Sequence, residues 1–330
     1  MRALLACAMA ASLPVLAAQA DSADAAERNH LMRVVTVSQD GLTAEAGKPL
    51  LDATLSILDR AAAFRPDIVC LPETFTRDKP ESVPGPTTDR LGRWAREHSC
   101  YVICPISTRV GEHVFNSAML LDRQGKVVGR YDKIRPTEGE LERGVCPGTP
   151  DPPIFETDFG PIGVQICFDV NWREQWRRLK EQGARIIFFP SAYPAARQLR
   201  SHAWLQQCFV VSATQTRAAS IYDITGDVLE TTGKYRRWAG AVLPVGKRLF
   251  EIDFHVGKMR RIEQKYGDKV QITWHHDDDL VTLASLDPEL TVDDLIVEFE
   301  LTPHTDYIQR AQQAQDERRS AFNDEFSRKP

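Results

Sequence analysis

Residues Gly163–Trp172 read Gly-Val-Gln-Ile-Cys-Phe-Asp-Val-Asn-Trp. A short apolar run ends on Cys167, and an aromatic, an aspartate and an asparagine follow. The run has the composition of a strand. Asn171-x-x-Glu174 has capping-box-like spacing, which predicts a helix starting near Trp172. A cysteine at that break has two readings. It is a small core hydrophobe, since free cysteine is among the most buried residue types. Or it is a nucleophile at a strand end, where open α/β sheets bind their ligands. The rest of the chain has to decide.

Working outward, the chain alternates strand and helix signals. Arg33–Ser38 and Ile68–Leu71 are short apolar runs, separated by Pro49–Phe64 with apolar residues at helical spacing. Thr87–His98 reads as a helix. Tyr101–Ile106 reads as a strand, and residues 117–131 read as a hairpin around Gln124-Gly125. Ile162–Cys167, Trp172–Gln182, Arg185–Phe189, Ala196–Gln207 and Phe209–Gln215 then repeat strand, helix, strand, helix, strand. Alternation combined with hairpins predicts a sandwich of mixed sheets with outer helices. Past residue 233 the pattern weakens. Phe250–Val256, Val270–Trp274, Leu280–Ser285 and Leu295–Leu301 read as strands. Residues 301–330 form a polar tail, expected as a helix on the surface or reaching to a partner subunit.

The 330 residues suffice for one large α/β domain or two modest ones. Net charge −5 gives no basic field for nucleic acid or an acidic membrane. Residues 1–20 carry Arg2, an apolar run and Ala18-Gln19-Ala20, the pattern of a cleaved secretory signal. That run is too short and alanine-rich to span a membrane. The expected location is therefore periplasmic or secreted. A start at Met32, directly before the first strand, would instead give a cytoplasmic protein. Six cysteines follow the signal: Cys70, Cys100, Cys104, Cys146, Cys167 and Cys208. Several sit in strand-like runs, which argues against a disulfide framework. Cys100 and Cys104 would stand roughly 13 Å apart on an extended strand, too far to share a metal ion. His275–Asp279 reads as an exposed acidic turn, and Tyr235–Trp238 as a loop or subunit contact.

Three apolar runs end in an ionisable residue. Ile68–Pro72 ends in Glu73, Val127–Asp132 in Lys133, and Gly163–Ile166 in Cys167. Brought together, they supply a base, an oxyanion stabiliser and a nucleophile, a complete set for acyl transfer.

Leu71-Pro72-Glu73-Thr74-Phe75, Tyr131-Asp132-Lys133-Ile134-Arg135-Pro136 and Ile166-Cys167-Phe168-Asp169 resemble, in order and spacing, the three motifs of the carbon–nitrogen hydrolase (nitrilase) superfamily. The similarity covers roughly residues 33–230 of a domain placed at 33–300. The resemblance implies an α/β fold, a four-layer αββα sandwich of two mixed β-sheets flanked by helices. It also implies pairing of two such units, as a homodimer or higher homo-oligomer, and a Glu-Lys-Cys triad that needs no metal or organic cofactor. A second glutamate is expected seven residues after the lysine. Glu140 matches, with Glu142 the runner-up and Glu138 outside. Phe168-Asp169 looks more like the amidase and carbamoylase branches than the nitrile-hydrolysing one, which usually shows Trp-Glu there. The expected substrate is thus a small linear amide or N-carbamoyl compound. Candidate substrate contacts are Phe168, Arg173, Tyr193 and Arg197, an arginine being able to clamp a carboxylate. Trp172-Arg173-Glu174 and Ala203–Gln207 depart from the family pattern. Alternatives are a nitrile hydrolase or an acyltransferase on this scaffold, or an inactive binding protein. The membrane-bound acyltransferases of the superfamily have several spanning helices, and no such run exists here beyond the signal.

Overall fold

The computed structural model describes residues 31–42 and 49–327. The signal-like residues 1–20 lie outside them. In chain order the first half comprises β1 (Leu31–Val37), α1 (Leu50–Ala61), β2 (Ile68–Cys70), α2 (Pro86–His98), β3 (Tyr101–Val110), β4 (His113–Leu121), β5 (Val127–Asp132) and the short α3 (Glu138–Glu142). The second half adds β6 (Ile162–Val164), α4 (Arg173–Glu181), β7 (Ile186–Ser191), α5 (Ala196–Gln206), β8 (Phe209–Thr214), β9 (Ser220–Tyr222) and β10 (Val228–Thr231). β11 (Trp238–Pro244) returns to pair with β1.

Two sheets result. One has the order β11-β1-β2-β3-β4-β5, the other β10-β9-β8-β7-β6. The parallel triplets β1-β2-β3 and β6-β7-β8 come from strand–helix–strand crossovers, while consecutive strands supply the antiparallel β3-β4-β5 and β8-β9-β10 and the returning β11 supplies the other edge. The layers follow from the period of two along each strand. Val34, Ile68, Cys70 and Ile103 of one sheet meet Val164, Phe188 and Val211 of the other in a single core. Their neighbours Val35, Val69 and Val102 turn outward and pack with Leu58, Leu91 and Trp94 under α1 and α2. Ile187, Phe189 and Val210 do the same with Trp176 and Leu199 under α4 and α5. Alternating strands buried on both faces therefore build a helix–sheet–sheet–helix sandwich, as the sequence predicts.

A smaller unit is appended. β12 (Arg248–Glu251), α6 (Val256–Tyr266), β13 (Val270–His275), β14 (Leu280–Ser285), α7 (Val292–Glu298) and α8 (His304–Ser327) follow β11. The sheet order is β12-β14-β13, around a separate core of Phe250, Met259, Ile262, Val281, Leu283 and Leu295. Leu249 and Leu280 join the central core instead and seat this unit on the sandwich.

Three local expectations change here. Leu295–Leu301 is not a strand. Thr291 accepts from the Asp294 N–H at 2.9 Å and Asp294 returns the bond to the Thr291 N–H, a capping box that starts α7. Phe250–Val256 is strand only as far as Glu251, and Val256 opens α6. Asn171 does not cap α4, because a 3-10 turn over Cys167–Asn171 intervenes and the Asn171 amide donates to the Phe168 carbonyl at 2.9 Å. The polar tail forms the 24-residue α8, exposed along most of its described side chains.

Candidate active site

The carboxyl ends of β2, β5, β6 and β7 open on one cavity of about 340 Å³. Glu73, Lys133, Glu140 and Cys167 all line it, with Asn116, Thr137, Arg143 and Gln215.

Cys167 lies three residues past the end of β6 and opens a 3-10 turn. Its φ of 49° is in the left-handed region, which a non-glycine residue enters only under constraint. Asp169 supplies that constraint. Fully buried, its carboxylate accepts from the Ile166 N–H at 3.0 Å, the Arg135 N–H at 2.8 Å and the Tyr131 hydroxyl at 2.7 Å. One side chain thus clamps the turn that carries the thiol to the segment that carries the lysine. The backbone N–H of Ala192 and the hydroxyl of Ser191, at the end of β7, face the Cys167 sulfur.

Lys133 is 1% exposed and bridges two carboxylates, Glu73 Oε1 at 2.8 Å and Glu140 Oε2 at 2.8 Å. Asn116 Nδ2 donates to the other face of the same pair, to Glu73 Oε1 at 2.7 Å and Glu140 Oε1 at 2.9 Å. Glu140 is the N3 residue of α3, where it accepts from the Thr137 N–H at 2.7 Å. Its position is therefore set by a helix cap, which fixes its reach to Lys133. Gln215, just past β8, donates to the Glu73 carbonyl at 2.5 Å and holds the loop after β2.

Electrostatics follow from this burial. Burial favours the neutral amine at Lys133, yet Glu73, Cys167 and Glu140 outweigh it and hold the ammonium above lysine's ordinary value. Burial acts to raise Glu140, but Lys133 and the donors from Thr137 and Asn116 hold it below the usual carboxylate range. Burial and then Glu73 push the Cys167 thiol up to about 12, against Lys133, Ala192 and Ser191. One cation between two carboxylates already leaves the cluster negative, so a resting thiolate would add a second uncompensated charge. Burial and Glu73 therefore favour the protonated thiol.

The other expected residues fall differently. Glu138 and Glu142 are exposed on α3, away from Lys133. Phe168 is 36% exposed and packs edge-on against Trp172. Tyr193 is half-buried, its hydroxyl raised by burial and then by Cys167 and Glu73. Arg173 and Arg197 are exposed and do not line the cavity. Arg197 lies on the face of α5 opposite Leu199, His202 and Ala203, and Arg173 is the exposed first residue of α4. The arginine that does line the cavity is Arg143, which forms no ion pair among the described residues. Asn116, Gln215, Ser191 and Arg143 were not distinguishable in the sequence. Each is an ordinary polar residue until the sheet register aligns it. Asn116, opposite Ser107 on β3, lies one residue before the predicted hairpin at 117–131.

The carbon–nitrogen hydrolase family matches residues 32–238, and the chain belongs to that family. Beta-ureidopropionase of Arabidopsis thaliana is 29% identical over 161 residues, 43% of this chain and 40% of that protein. Deaminated glutathione amidase of Synechocystis is 30% identical over 128 residues, 34% of this chain and 47% of that protein. A bifunctional nitrilase/nitrile hydratase of Lupinus angustifolius is 28% identical over 200 residues, 50% of this chain and 56% of that one. The chain thus spans about half the length of these curated relatives. Among solved structures, an amidase from Nesterenkonia sp. superposes with a TM-score of 0.57 at 18% identity, covering 65% of this chain and 90% of that one. Saccharomyces cerevisiae Nit3 gives 0.58 at 17%, covering 72% and 95%. These two establish the nitrilase fold.

Proposed function

We propose that this carbon–nitrogen hydrolase cleaves a small linear amide or N-carbamoyl compound through a thioester on Cys167. The observation that carries the reading is the shared cavity: a thiol on a left-handed turn beside a buried lysine between two carboxylates. Glu73 takes the thiol proton as the sulfur attacks the carbonyl carbon. Negative charge forms on the substrate oxygen, and Lys133 with the Phe168 backbone N–H stabilises it; one such donor is worth about 3–4 kcal/mol of barrier. Protonated Glu73 gives its proton to the leaving nitrogen, which departs as ammonia or an amine. Glu140 holds Lys133 by its ion pair. Water then attacks the thioester, Glu73 takes a water proton, and the acid leaves as the sulfur regains it.

Arg143 favours a substrate with an anionic end, since an unpaired guanidinium at the cavity suits a carboxylate. The beta-ureidopropionase and amidase relatives support the amide or carbamoyl class. A nitrile remains the second reading, favoured by the nitrilase relative. We also propose that two copies pair, and that residues 1–20 act as an export signal. Light scattering and N-terminal sequencing of native protein test these. The function is tested by ammonia release from aliphatic amides, N-carbamoyl amino acids and nitriles under reducing conditions. Release by the wild type, abolished in Cys167→Ala, supports the proposal, and the best substrate names the branch. No release by folded protein with reduced Cys167 contradicts it.

A further inference from the structure

A second cavity, of about 420 Å³, lies where the appended unit meets the sandwich. Four cations line it. Lys180 comes from the last turn of α4, Arg185 directly precedes β7, Lys247 directly precedes β12 and Arg248 opens it. Two aspartates, Asp293 and Asp306, also line it. Lys247 is taken up by Asp223 at 2.5 Å. Arg248, whose side chain is 15% exposed, donates to the Gly246 carbonyl at 2.6 Å and has one carboxylate partner among the described residues, Asp293 at 3.3 Å, which is itself 60% exposed. Lys180 donates to the Gln207 carbonyl at 3.2 Å. Arg185 has no carboxylate within ion-pair distance among the described residues, and neither has Lys180.

Three cations therefore converge on a semi-enclosed space, where Asp293 pairs loosely with Arg248 and Asp306 forms no ion pair among the described residues. Burial and then Arg185 push the Arg248 guanidinium down to about 10, despite Asp293 and Asp306. Burial lowers Lys180, and Arg185 and Arg248 lower it further, although Cys208 opposes them. Like charges that lower one another in a half-buried cavity are a local conflict that the fold alone does not resolve. An anion resolves it. Guanidinium groups match tetrahedral oxyanions with paired donors, and a dianion answers more than one cation.

We propose that this cavity binds a small phosphate-bearing anion, held by Arg185, Arg248 and Lys180. It is separate from the hydrolytic site and does not rest on it. Arg185, directly before the six-residue strand β7, and Ser191, its last residue, are about 20 Å apart. Its two walls come from the sandwich and from the appended unit, so the ligand would tie the two together.

The test is titration calorimetry and thermal unfolding of the full chain with inorganic phosphate, against chloride at equal ionic strength. Saturable binding by wild type is expected, with Kd at least 10-fold weaker in Arg185→Ala. Without phosphate the variant should melt at or above the wild-type temperature, because a repelling charge is gone. Phosphate should then raise the wild type alone. Arg185→Gln, which keeps much of the side-chain stem, repeats the test if the alanine variant misfolds. A parallel titration with glycerol 3-phosphate separates a free phosphate, which binds equally well, from a phosphate carried on a small molecule, where the ester binds tighter. No saturable binding of either by wild type, or equal Kd in wild type and variant, overturns the proposal.

Discussion

At the scale of single residues, Asp169 sets the geometry of the nucleophile without touching the cavity. Burial pushes its carboxyl up to about 6, against the donors from Tyr131, Ile166 and Arg135. The folded protein therefore retains, between about pH 4 and 6, a proton that an unfolded aspartate has released. Stability falls as pH rises through that window. The ionised group is nonetheless the one that accepts from three donors. Asp169→Asn should remove the slope in urea-unfolding stability between pH 4 and 6. It should also lower kcat about 10- to 100-fold, because an amide N–H faces one of those donors and the Cys167 turn shifts. Arg143 acts at the other end of the cavity. Arg143→Ala should raise KM about 10-fold for substrates carrying a carboxylate, leaving kcat and neutral amides unchanged, as steady-state kinetics would show. Glu73, Lys133 and Cys167 were candidates because each closes an apolar run within a motif of recognisable order, and Glu140 because the family resemblance expects a glutamate seven residues after the lysine. The sequence could not place Arg143 ahead of Arg173 or Arg197. Which face of a helix or loop meets the cavity depends on packing that a local pattern does not carry.

At the scale of elements, the position of Lys133 depends on the end of β5. Its N–H donates to the Asn116 carbonyl at 2.8 Å, and its own carbonyl accepts from the Gly148 N–H at 2.9 Å. A Cβ on Gly148 would lie 2.2 Å from the Asp132 carbonyl oxygen, so the strand end or the loop must move. Gly148→Ala should cost about 1–3 kcal/mol in denaturant unfolding and lower kcat. An unchanged variant would show that this loop does not hold the lysine. The strands and helices of the sandwich were legible because alternation at period two and at 3.6 residues is strong there. The appended unit was not. Ile296 and Val297 favour a strand by composition, and the cap formed by Thr291 and Asp294 overrode them. Val256–Tyr266 has only Met259 and Ile262 buried, too thin an apolar stripe to announce a helix.

At the scale of the whole molecule, the cysteines act together. Burial raises the thiols of Cys70, Cys100, Cys104, Cys167 and Cys208. An unfolded thiol releases its proton near pH 8.5, whereas these stay protonated. Above that pH the unfolded chain binds fewer protons than the folded one, so stability declines as pH rises. Each thiol contributes up to about 1.4 kcal/mol per pH unit. Urea unfolding between pH 8 and 10 should show a steepening loss, and a flat profile would contradict the burial of these groups. Six cysteines are free among the described residues, which agrees with the sequence argument against a disulfide framework. The four-layer architecture was legible as a class because hairpins and crossovers alternate. The junction cavity was not, because its cations come from segments more than sixty residues apart.

The central claim is that Cys167 carries the acyl group. Acid-quenched intact-mass analysis during turnover, followed by peptide mapping, tests it most directly. A mass gain equal to the acyl fragment is expected on the Cys167 peptide, with neither adduct nor turnover in Cys167→Ala. Turnover by Cys167→Ala at the wild-type rate, or an acyl group mapped to another residue, would contradict it.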